Sequence, residues 1–348
     1  MAAIPYKCPN CGGELLFDPA SQNYKCEYCG SSFAQSDLEQ MKPDSAHEMN
    51  LNQEEAEDGS AVVYSCPSCG AQIVTDDTTA ATFCYYCHNP VVLEGRLSGE
   101  YLPDRIIPFA FDRKEAVERF RKFIGKKHFV PRAFFDESQI EKLSGVYYPY
   151  WLYDCEGDGT LEGEGRKVRV WMNGDVEYTE TSTFHFIRRG VVSMEEMTRN
   201  ALRESDKALV EGVLPFQLSG AQEFKTGYLS GFLAEKRDME KQDFEGIFAQ
   251  EAQQHAERRL RDQVNGYQSV TVRNRQFHVI KEHWQYLLLP VWVLTYTGRN
   301  GKVYYYAMNG QTGTVRGVLP LDWKKLLCCS GIIGAAVTVL GLIGGYLI

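Results

Sequence analysis

The sequence predicts an α+β fold, and three observations lead to that prediction. Eight of the 11 cysteines form four C-x-x-C pairs within the first 87 residues. Helical and strand-like apolar patterns follow one another between residues 100 and 322. The last 23 residues carry no charge. We therefore expect two small β zinc ribbons, an internally duplicated α+β domain rich in antiparallel strands, and a C-terminal transmembrane helix.

The first cysteine set lies in residues 1–33 and consists of two pairs, Cys8 with Cys11 and Cys26 with Cys29. Two intervening residues let both sulfurs of one turn reach a single ion, and 14 residues separate the pairs, which is close to the usual zinc-ribbon spacing. A glycine after the second cysteine of each pair permits the tight turn. Four thiolates complete a closed tetrahedron, so the predicted site is structural rather than catalytic.

A second set with the same spacing lies in residues 61–95 and consists of Cys66, Cys69, Cys84 and Cys87. We expect one zinc ion in each set, because neither short unit can bury enough apolar surface to fold without metal. Iron in a rubredoxin-like tetrathiolate is the alternative occupant, since geometry alone does not exclude it. A secreted disulfide framework competes with both, but tight C-x-x-C pairing is typical of metal sites.

Charge and compartment narrow the class of protein. The N-terminus lacks the apolar stretch of a signal peptide, and thiolate sites persist in a reducing compartment. The net charge is −9 and the isoelectric point is about 5.4. This balance argues against non-specific nucleic-acid binding, which draws affinity from Lys and Arg at phosphates. Within the cysteine sets, only Lys7 and Lys25 are basic.

The remaining chain divides by composition. Residues 34–60 are polar and acidic and predict a flexible linker. Residues 100–322 predict a duplicated domain, since residues 106–109 resemble residues 213–216, and the proline-centred residues 147–153 resemble residues 288–294. A helical pattern lies between the paired motifs of each half. Its apolar members are Ala116, Phe120, Phe123 and Ile124 in the first half, and Phe244, Ile247, Phe248, Ala252, Ala256, Leu260 and Val264 in the second.

Strands and one further helix follow from local patterns. Residues 167–172 and 176–186 flank an Asn-Gly turn, which favours a hairpin because both central residues need φ > 0. Residues 286–296 and 302–308 form a similar pair. A helix is predicted over residues 193–205, with two glutamates in its first turn. The aromatic residues of these strands are interpreted as core or sheet surface rather than as a ligand platform.

Residues 326–348 predict a transmembrane helix, because about 20 apolar residues span a bilayer core. Lys324 and Lys325 precede this segment and no charge follows it. The positive-inside rule then predicts a single span in the cell membrane with the bulk of the chain in the cytoplasm. Rows of small residues, such as Gly341 and Gly345, allow close helix approach, so self-association through this helix is a hypothesis.

Catalytic motifs are absent from the sequence. There is no phosphate loop and no H-E-x-x-H, and residues 227–231 have the wrong spacing for G-x-S-x-G. Cys155 has no evident base partner and is interpreted as a buried structural thiol. We therefore expect a protein that is not an enzyme; a site assembled from residues distant in sequence is the alternative.

The order of these features resembles a known family. The likeness rests on the twin cysteine sets, the acidic linker, Tyr-Pro-Tyr-Trp at 148–151, Leu-Pro-Val-Trp at 289–292, Asn-Gly-Gln-Thr-Gly at 309–313 and the terminal apolar helix. The chain resembles the bacterial twin zinc-ribbon membrane proteins called transcription factor IIB-type zinc ribbon-containing proteins. Some members are labelled primosomal replication helicases, but this sequence lacks the motor motifs. The resemblance implies metal binding at the eight cysteines.

Members of that family are linked with membrane-stress systems of the phage-shock type. This link implies a role in recruiting cytoplasmic proteins to the membrane. The sequence thus predicts a membrane-anchored, cytoplasm-facing zinc-ribbon adaptor that binds other proteins. The alternative is a nucleic-acid-binding zinc-ribbon protein of replication or transcription, which more basic ribbons would favour.

Overall fold

The structure is a computed structural model in which eleven strands form one large sheet, beside a three-stranded and a two-stranded sheet. It describes residues 2–3, 6–40, 61–66, 72–76, 78–84, 90–93, 97, 101–203, 207–298 and 301–347, and these counts refer to them. Most strand pairs are antiparallel, and two pairs are parallel. The predicted α+β class is therefore confirmed.

The N-terminal part consists of short elements. They are β1 (Ala2–Ala3), β2 (Leu15–Asp18), β3 (Asn23–Cys26), β4 (Ser32–Phe33), α1 (Gln35–Gln40), β5 (Ala61–Ser65), β6 (Gln72–Asp76), β7 (Thr79–Phe83) and β8 (Pro90–Leu93). Helix α1 lies in the interval predicted as a flexible linker and buries Leu38. Residues 41–60 of that interval lie outside the described residues.

The C-terminal part contains the long elements. They are β9 (Arg105–Ile106), α2 (Arg113–Gly125), a 3₁₀ turn (Arg132–Phe134), α3 (Glu137–Ile140), β10 (Ser144–Asn173), β11 (Val176–Asn200), α4 (Lys207–Val210), 3₁₀ turns (Leu218–Gly220 and Thr226–Leu229) flanking β12 (Gln222–Glu223), β13 (Leu233–Glu235), α5 (Gln242–Arg261), β14 (Ser269–Thr297), β15 (Val303–Asn309), β16 (Val315–Val318) and α6 (Trp323–Leu347). Helix α2 contains the whole of the first predicted helical pattern, and α5 contains the second except for Val264, which lies beyond the end of that helix.

The interval predicted as the second ribbon is shared between two sheets. Strands β5 and β6 form a separate hairpin. Strands β7 and β8 instead join the large sheet, where β7 pairs with β13 and β8 pairs with β1. Because their backbones are hydrogen-bonded into that sheet, this interval is attached to the body of the protein.

Three long strands form an antiparallel arm. The central strand, β10, has 30 residues, which at about 3.3 Å each would extend for roughly 100 Å. It pairs with β11 between Tyr150 and Asn173, and with β14 between Ser144 and Arg166. The arm therefore narrows from three strands to two before its tip. The Asn-Gly hairpin at that tip is confirmed, with Gly174 at φ 64°.

The helix predicted over residues 193–205 is wrong. Residues 193–200 complete β11, where Ser193 pairs with Glu156. The local signal came from residues at a bulge, where Glu196 adopts φ 63° and its N–H donates to Asp154 Oδ1 at 2.7 Å. The ladder with β10 satisfies the backbone along this segment, and such tertiary pairing overrides weak helix propensity.

The large sheet contains two units with the same order of elements, each consisting of a short strand, a helix and a long strand. They are β9–α2–β10 and β13–α5–β14, and their long strands pair with each other. Each short strand pairs in parallel with the long strand of the other unit, as in Ile106 with Leu288 and Ala234 with Tyr147. The proline-centred segments pair directly, with Pro290 opposite Tyr147. This order suits an internal duplication, which stays a prediction.

Residues 213–216, which the sequence comparison matched to residues 106–109, form no strand. Their Val213 and Phe216 are packed against one face of the sheet. Strand β13 occupies the place that corresponds to β9. The Pro-Phe pattern at residues 215–216 therefore belongs to a loop that covers the sheet, and not to a strand equivalent to β9.

The large sheet has an apolar core on each face, because side chains alternate along its strands. In β10, Tyr147 and Trp151 belong to the cluster beneath α2 and α5. Tyr150 and Leu152 belong to the opposite cluster, beneath residues 209–221. These aromatic residues form core, as predicted.

Helix α6 lies apart from both cores. It is long and apolar enough to cross a membrane, and none of its segment Trp323–Leu342 is buried. Two hydrogen bonds hold its start against the body. The N–H of Asp322 donates to Phe129 O at 2.7 Å, and Lys325 Nζ donates to Val130 O at 2.8 Å.

Candidate metal centre

The first cysteine set forms two similar turns. In one, the N–H of Gly12 donates to Cys8 O at 2.8 Å; in the other, the N–H of Gly30 donates to Cys26 O at 2.9 Å. Both glycines adopt φ 72°, which a side chain would strain. The glycine that follows the second cysteine therefore closes each turn, as the sequence predicts.

Strands β2 and β3 bring the two turns together. Leu15 pairs with Cys26, so the second turn begins opposite the end of the first. The N–H of Cys8 donates to Gly13 O at 2.6 Å, and the N–H of Cys26 donates to Ser31 O at 2.9 Å. Backbone hydrogen bonds thus position both cysteine pairs.

The four sulfurs converge on one point. The Sγ atoms of Cys8, Cys11, Cys26 and Cys29 all lie within 4.8 Å of one another. Those of Cys8 and Cys29 are 3.5 Å apart, as are those of Cys11 and Cys26. Thiolates at about 2.3 Å from a tetrahedral zinc ion would lie roughly 3.8 Å apart. The donor set and spacing therefore fit one metal ion, and four sulfurs leave no open position for a substrate.

Neighbouring groups give the thiols unequal acidity. Contacts with the hydroxyl and the backbone N–H of Ser31 lower the pKa of Cys29 to about 6. The backbone N–H of Gly13 lowers the pKa of Cys11, but the surrounding sulfurs, led by that of Cys26, raise it to about 12. A bound dication reverses that rise, since it favours the thiolate at every ligand.

The second set is described only in part. Cys66 and Cys84 are buried and share an apolar cluster with Tyr64 and Ile73. The other two predicted ligands, Cys69 and Cys87, lie outside the described residues. The structure thus brings together one predicted cysteine from each turn, and the second ion stays a prediction.

The first ribbon packs against the body of the protein. Ser230 Oγ donates to Leu15 O at 2.6 Å, and the N–H of Phe17 donates to Ser230 O at 3.1 Å. The rings of Phe17 and Tyr228 meet edge to face at 5.1 Å. Residues 227–231, rejected as a nucleophile motif, therefore hold the ribbon. The sequence signal that could have indicated this packing is the presence of aromatic residues, Phe17 and Tyr24, in a ribbon too small to bury them by itself.

Gly227→Ala tests this contact. A Cβ at Gly227 would lie 2.5 Å from both Tyr24 Oη and Tyr6 Cε2, closer than real contacts allow. We expect a cost of about 1–3 kcal/mol, typical of overpacking. Amide hydrogens of β2 should therefore exchange roughly five- to 150-fold faster, as measured by hydrogen–deuterium exchange mass spectrometry.

The matched control is Gly246→Ala in α5, where a Cβ meets nothing within 4 Å. This change should stabilise the helix by up to about 1 kcal/mol and leave exchange in β2 unaltered. Equal exchange in β2 for the two variants would contradict the packing of the ribbon on Gly227.

A known protein matches nearly the whole chain. It is the uncharacterized protein YdjG of Bacillus subtilis (strain 168), which is 30% identical over 341 residues, with 98% of this chain and 97% of YdjG covered. The chain belongs to the YdjG family. No protein-family model matches the sequence. No solved structure matches it either.

In this YdjG-family chain, the Asn-Gly-Gln-Thr-Gly segment has a structural role. Asn309 is fully buried, and its Nδ2 donates to Val213 O at 3.0 Å and Pro215 O at 3.3 Å. Its Oδ1 accepts from the N–H groups of Gln311 at 2.9 Å and Thr312 at 2.8 Å. The side chain thus joins the loop on one face of the sheet to the end of β15.

Cys155 of this YdjG-family chain is buried in the core beneath α5, as predicted for a structural thiol. Burial raises its pKa, which disfavours the reactive thiolate.

Proposed function

We propose that this protein is a membrane-anchored zinc-ribbon adaptor whose bulk faces the cytoplasm and which holds partner proteins at the membrane. The observation that carries the proposal is the two-stranded tip of the β-arm. The tip comprises residues 167–182, beyond the last pairing of β10 with β14 at Arg166 and Ser269. It lies at the far end of the arm from the mixed sheet.

The tip exposes apolar side chains on both of its faces. Trp171 and Tyr178 are opposite each other, and their rings stack at 5.6 Å on one face. Val170 and Met172 alternate with Trp171 and so lie on the other face, where they are 54% and 60% exposed. Contiguous exposed apolar groups of this kind mark interaction surfaces in soluble domains.

The outer edge of β11 supports the same role. Among the described residues, β11 pairs with β10 alone, so its other edge presents backbone N–H and C=O groups. An open edge accepts an extended segment of another protein by strand addition. We assign this edge and the tip to a partner that adds such a segment, with its apolar side chains on the tip.

Anchoring rests on α6 and its flanking charges. The helix is not covered by the body of the protein, and Lys324 and Lys325 stand at its start. The positive-inside rule supports the cytoplasmic side for the arm and ribbons. The closed sulfur site supports a structural role for the metal, which keeps the ribbon folded against the body.

Crosslinking in the native host, followed by mass spectrometry, tests the proposal. Three chains are compared: the full chain, a chain ending before Leu326, and a Trp171→Ser, Met172→Ser variant. We expect the shortened chain to leave the membrane fraction. We expect the tip variant to stay there and to lose more than about half of its crosslinked partners, since apolar anchors dominate interfaces.

The control replaces two exposed apolar residues elsewhere, Ile247→Ser and Val318→Ser. It should keep both location and partners. A shortened chain that stays in the membrane fraction would refute anchoring by α6. A tip variant with the partners of the control would refute the arm as the binding surface. Salt-sensitive binding of duplex DNA by the full chain would favour the nucleic-acid alternative.

A further inference from the structure

A basic surface lies beside the start of α6. Between residues 119 and 132 the chain has six Lys or Arg and no acidic residue, although its net charge is −9. All six are exposed, along the second half of α2 and the turns after it. They are Arg119, Arg121, Lys122, Lys126, Lys127 and Arg132. The charge of this region is therefore opposite to that of the protein as a whole.

This surface borders a cleft of about 420 Å³ between α2, α3 and the first turn of α6. Its basic lining is Arg121, Lys127, His128 and Lys325. Its acidic lining is Glu137, which neutralises Arg121 through two contacts of 2.8 Å. The remaining lysines of the lining, Lys127 and Lys325, each present an ammonium group that an anionic ligand in the cleft can contact.

Contacts around those lysines leave them able to bind an anion. Lys127 is exposed, and its Nζ lies 5.1 Å from the ring of Phe123. Lys325 Nζ forms an ion pair with Asp322 Oδ2 at 3.7 Å and donates one hydrogen bond to Val130 O. An ammonium group has three donors, so further donors remain for a phosphate.

The cleft is held at the end of the apolar helix. The hydrogen bonds from Asp322 and Lys325 to residues 129 and 130 attach the cleft wall to the first turn of α6. The uncharged run begins at the next residue, Leu326. Where α6 spans a bilayer, the cleft consequently lies at the depth of the lipid head groups.

We propose that this cleft binds the head group of an anionic phospholipid, with the phosphate between Lys127 and Lys325. The inference rests on the proposed anchoring by α6. Apolar lining residues such as Ile124 and Ile140 would contact the glycerol and the first acyl carbons. The neighbouring exposed lysines add a long-range attraction for an anionic membrane surface.

The test uses the full chain in a neutral detergent and measures lipid binding by native mass spectrometry. Dioctanoyl phosphatidylglycerol should bind at least about tenfold more tightly than dioctanoyl phosphatidylcholine. Lys127→Gln and Lys325→Gln should each weaken phosphatidylglycerol binding by about fivefold. The control, Lys114→Gln with Lys241→Gln, removes two exposed lysines that do not line the cleft and should leave binding unchanged.

Three results would overturn the inference. The first is equal affinity for the two lipids, or equal affinity in the lysine variants and the control. The second is binding of glycerol 1-phosphate as tight as that of the lipid, which would assign the cleft to a soluble phosphate. The third is binding of duplex DNA that depends on Lys127 and Lys325 without any lipid preference.

Fractionation separates this inference from the proposed function. The double variant Lys127→Gln, Lys325→Gln keeps the whole of α6, so it should remain in the membrane fraction. If it does so and still binds phosphatidylglycerol like the wild type, the head-group site is refuted while anchoring stands. If the wild-type chain itself is soluble, anchoring is refuted.

Discussion

We expect the Cys26→Ser variant to lose one metal ion per chain and to unfold the first ribbon. Cys26 is fully buried, and its Sγ lies 3.5 Å from that of Cys11. A serine hydroxyl is a poor ligand for zinc, which prefers thiolate and imidazole. Structural zinc sites contribute about 10–16 kcal/mol of apparent binding free energy, which is also folding free energy. The loss therefore exceeds what the short ribbon can compensate.

Inductively coupled plasma mass spectrometry measures the number of metal ions per chain and also distinguishes zinc from iron. The wild type should contain two ions per chain and the variant one. Limited proteolysis measures the second part, since cleavage should appear within residues 6–33. Cys328→Ser is the control, because that cysteine is exposed in α6. A variant with the metal content of this control would exclude the first set as a metal site.

The second large effect is expected for Asn309→Ala. This change removes two donors to the carbonyls of Val213 and Pro215 and an acceptor for two backbone N–H groups. Buried polar groups left without partners each cost about 1–3 kcal/mol, and the lost side chain leaves a cavity. We expect a loss of about 3 kcal/mol and a melting temperature lower by roughly 6–12 °C.

Thermal unfolding followed by circular dichroism measures this shift, and Asn274→Ala is the control. Asn274 is exposed on β14, so its variant should melt within about 2 °C of the wild type. Metal content should be unchanged in both variants, because neither residue contacts the ribbon. Equal melting of the two variants would show that Asn309 does not hold the loop over the sheet.

Local sequence patterns correctly predicted those elements that are stabilised by interactions between residues close together in the chain. The turns at Cys8 and Cys26, the Asn-Gly hairpin and the periodic helices α2 and α5 all depend on residues within a few positions of each other. Helix α6 depends only on a continuous apolar run. Spacing, turn preference and periodicity are therefore sufficient to predict them.

Long-range pairing decided what these patterns missed. Residues 193–200 have a helical start signal, yet β10 lies beside them and pairs with their backbone. The length of the arm could not be predicted, because β10 pairs along most of its length with β14, which begins more than 100 residues later. The role of Ser230 was hidden for the same reason, since its partner, Leu15, is 215 positions away.

The sequence by itself determined the cysteine turns, the apolar helix and the class of the fold, because each is encoded by neighbouring residues. Tertiary structure alone decided that the ribbon is packed on residues 227–231, that Asn309 holds a loop, and that a basic cleft adjoins the start of α6. Each of these arrangements brings together segments that are far apart in the chain. Burial and hydrogen bonding stabilise such contacts only after the segments have met, so no local sequence pattern encodes them.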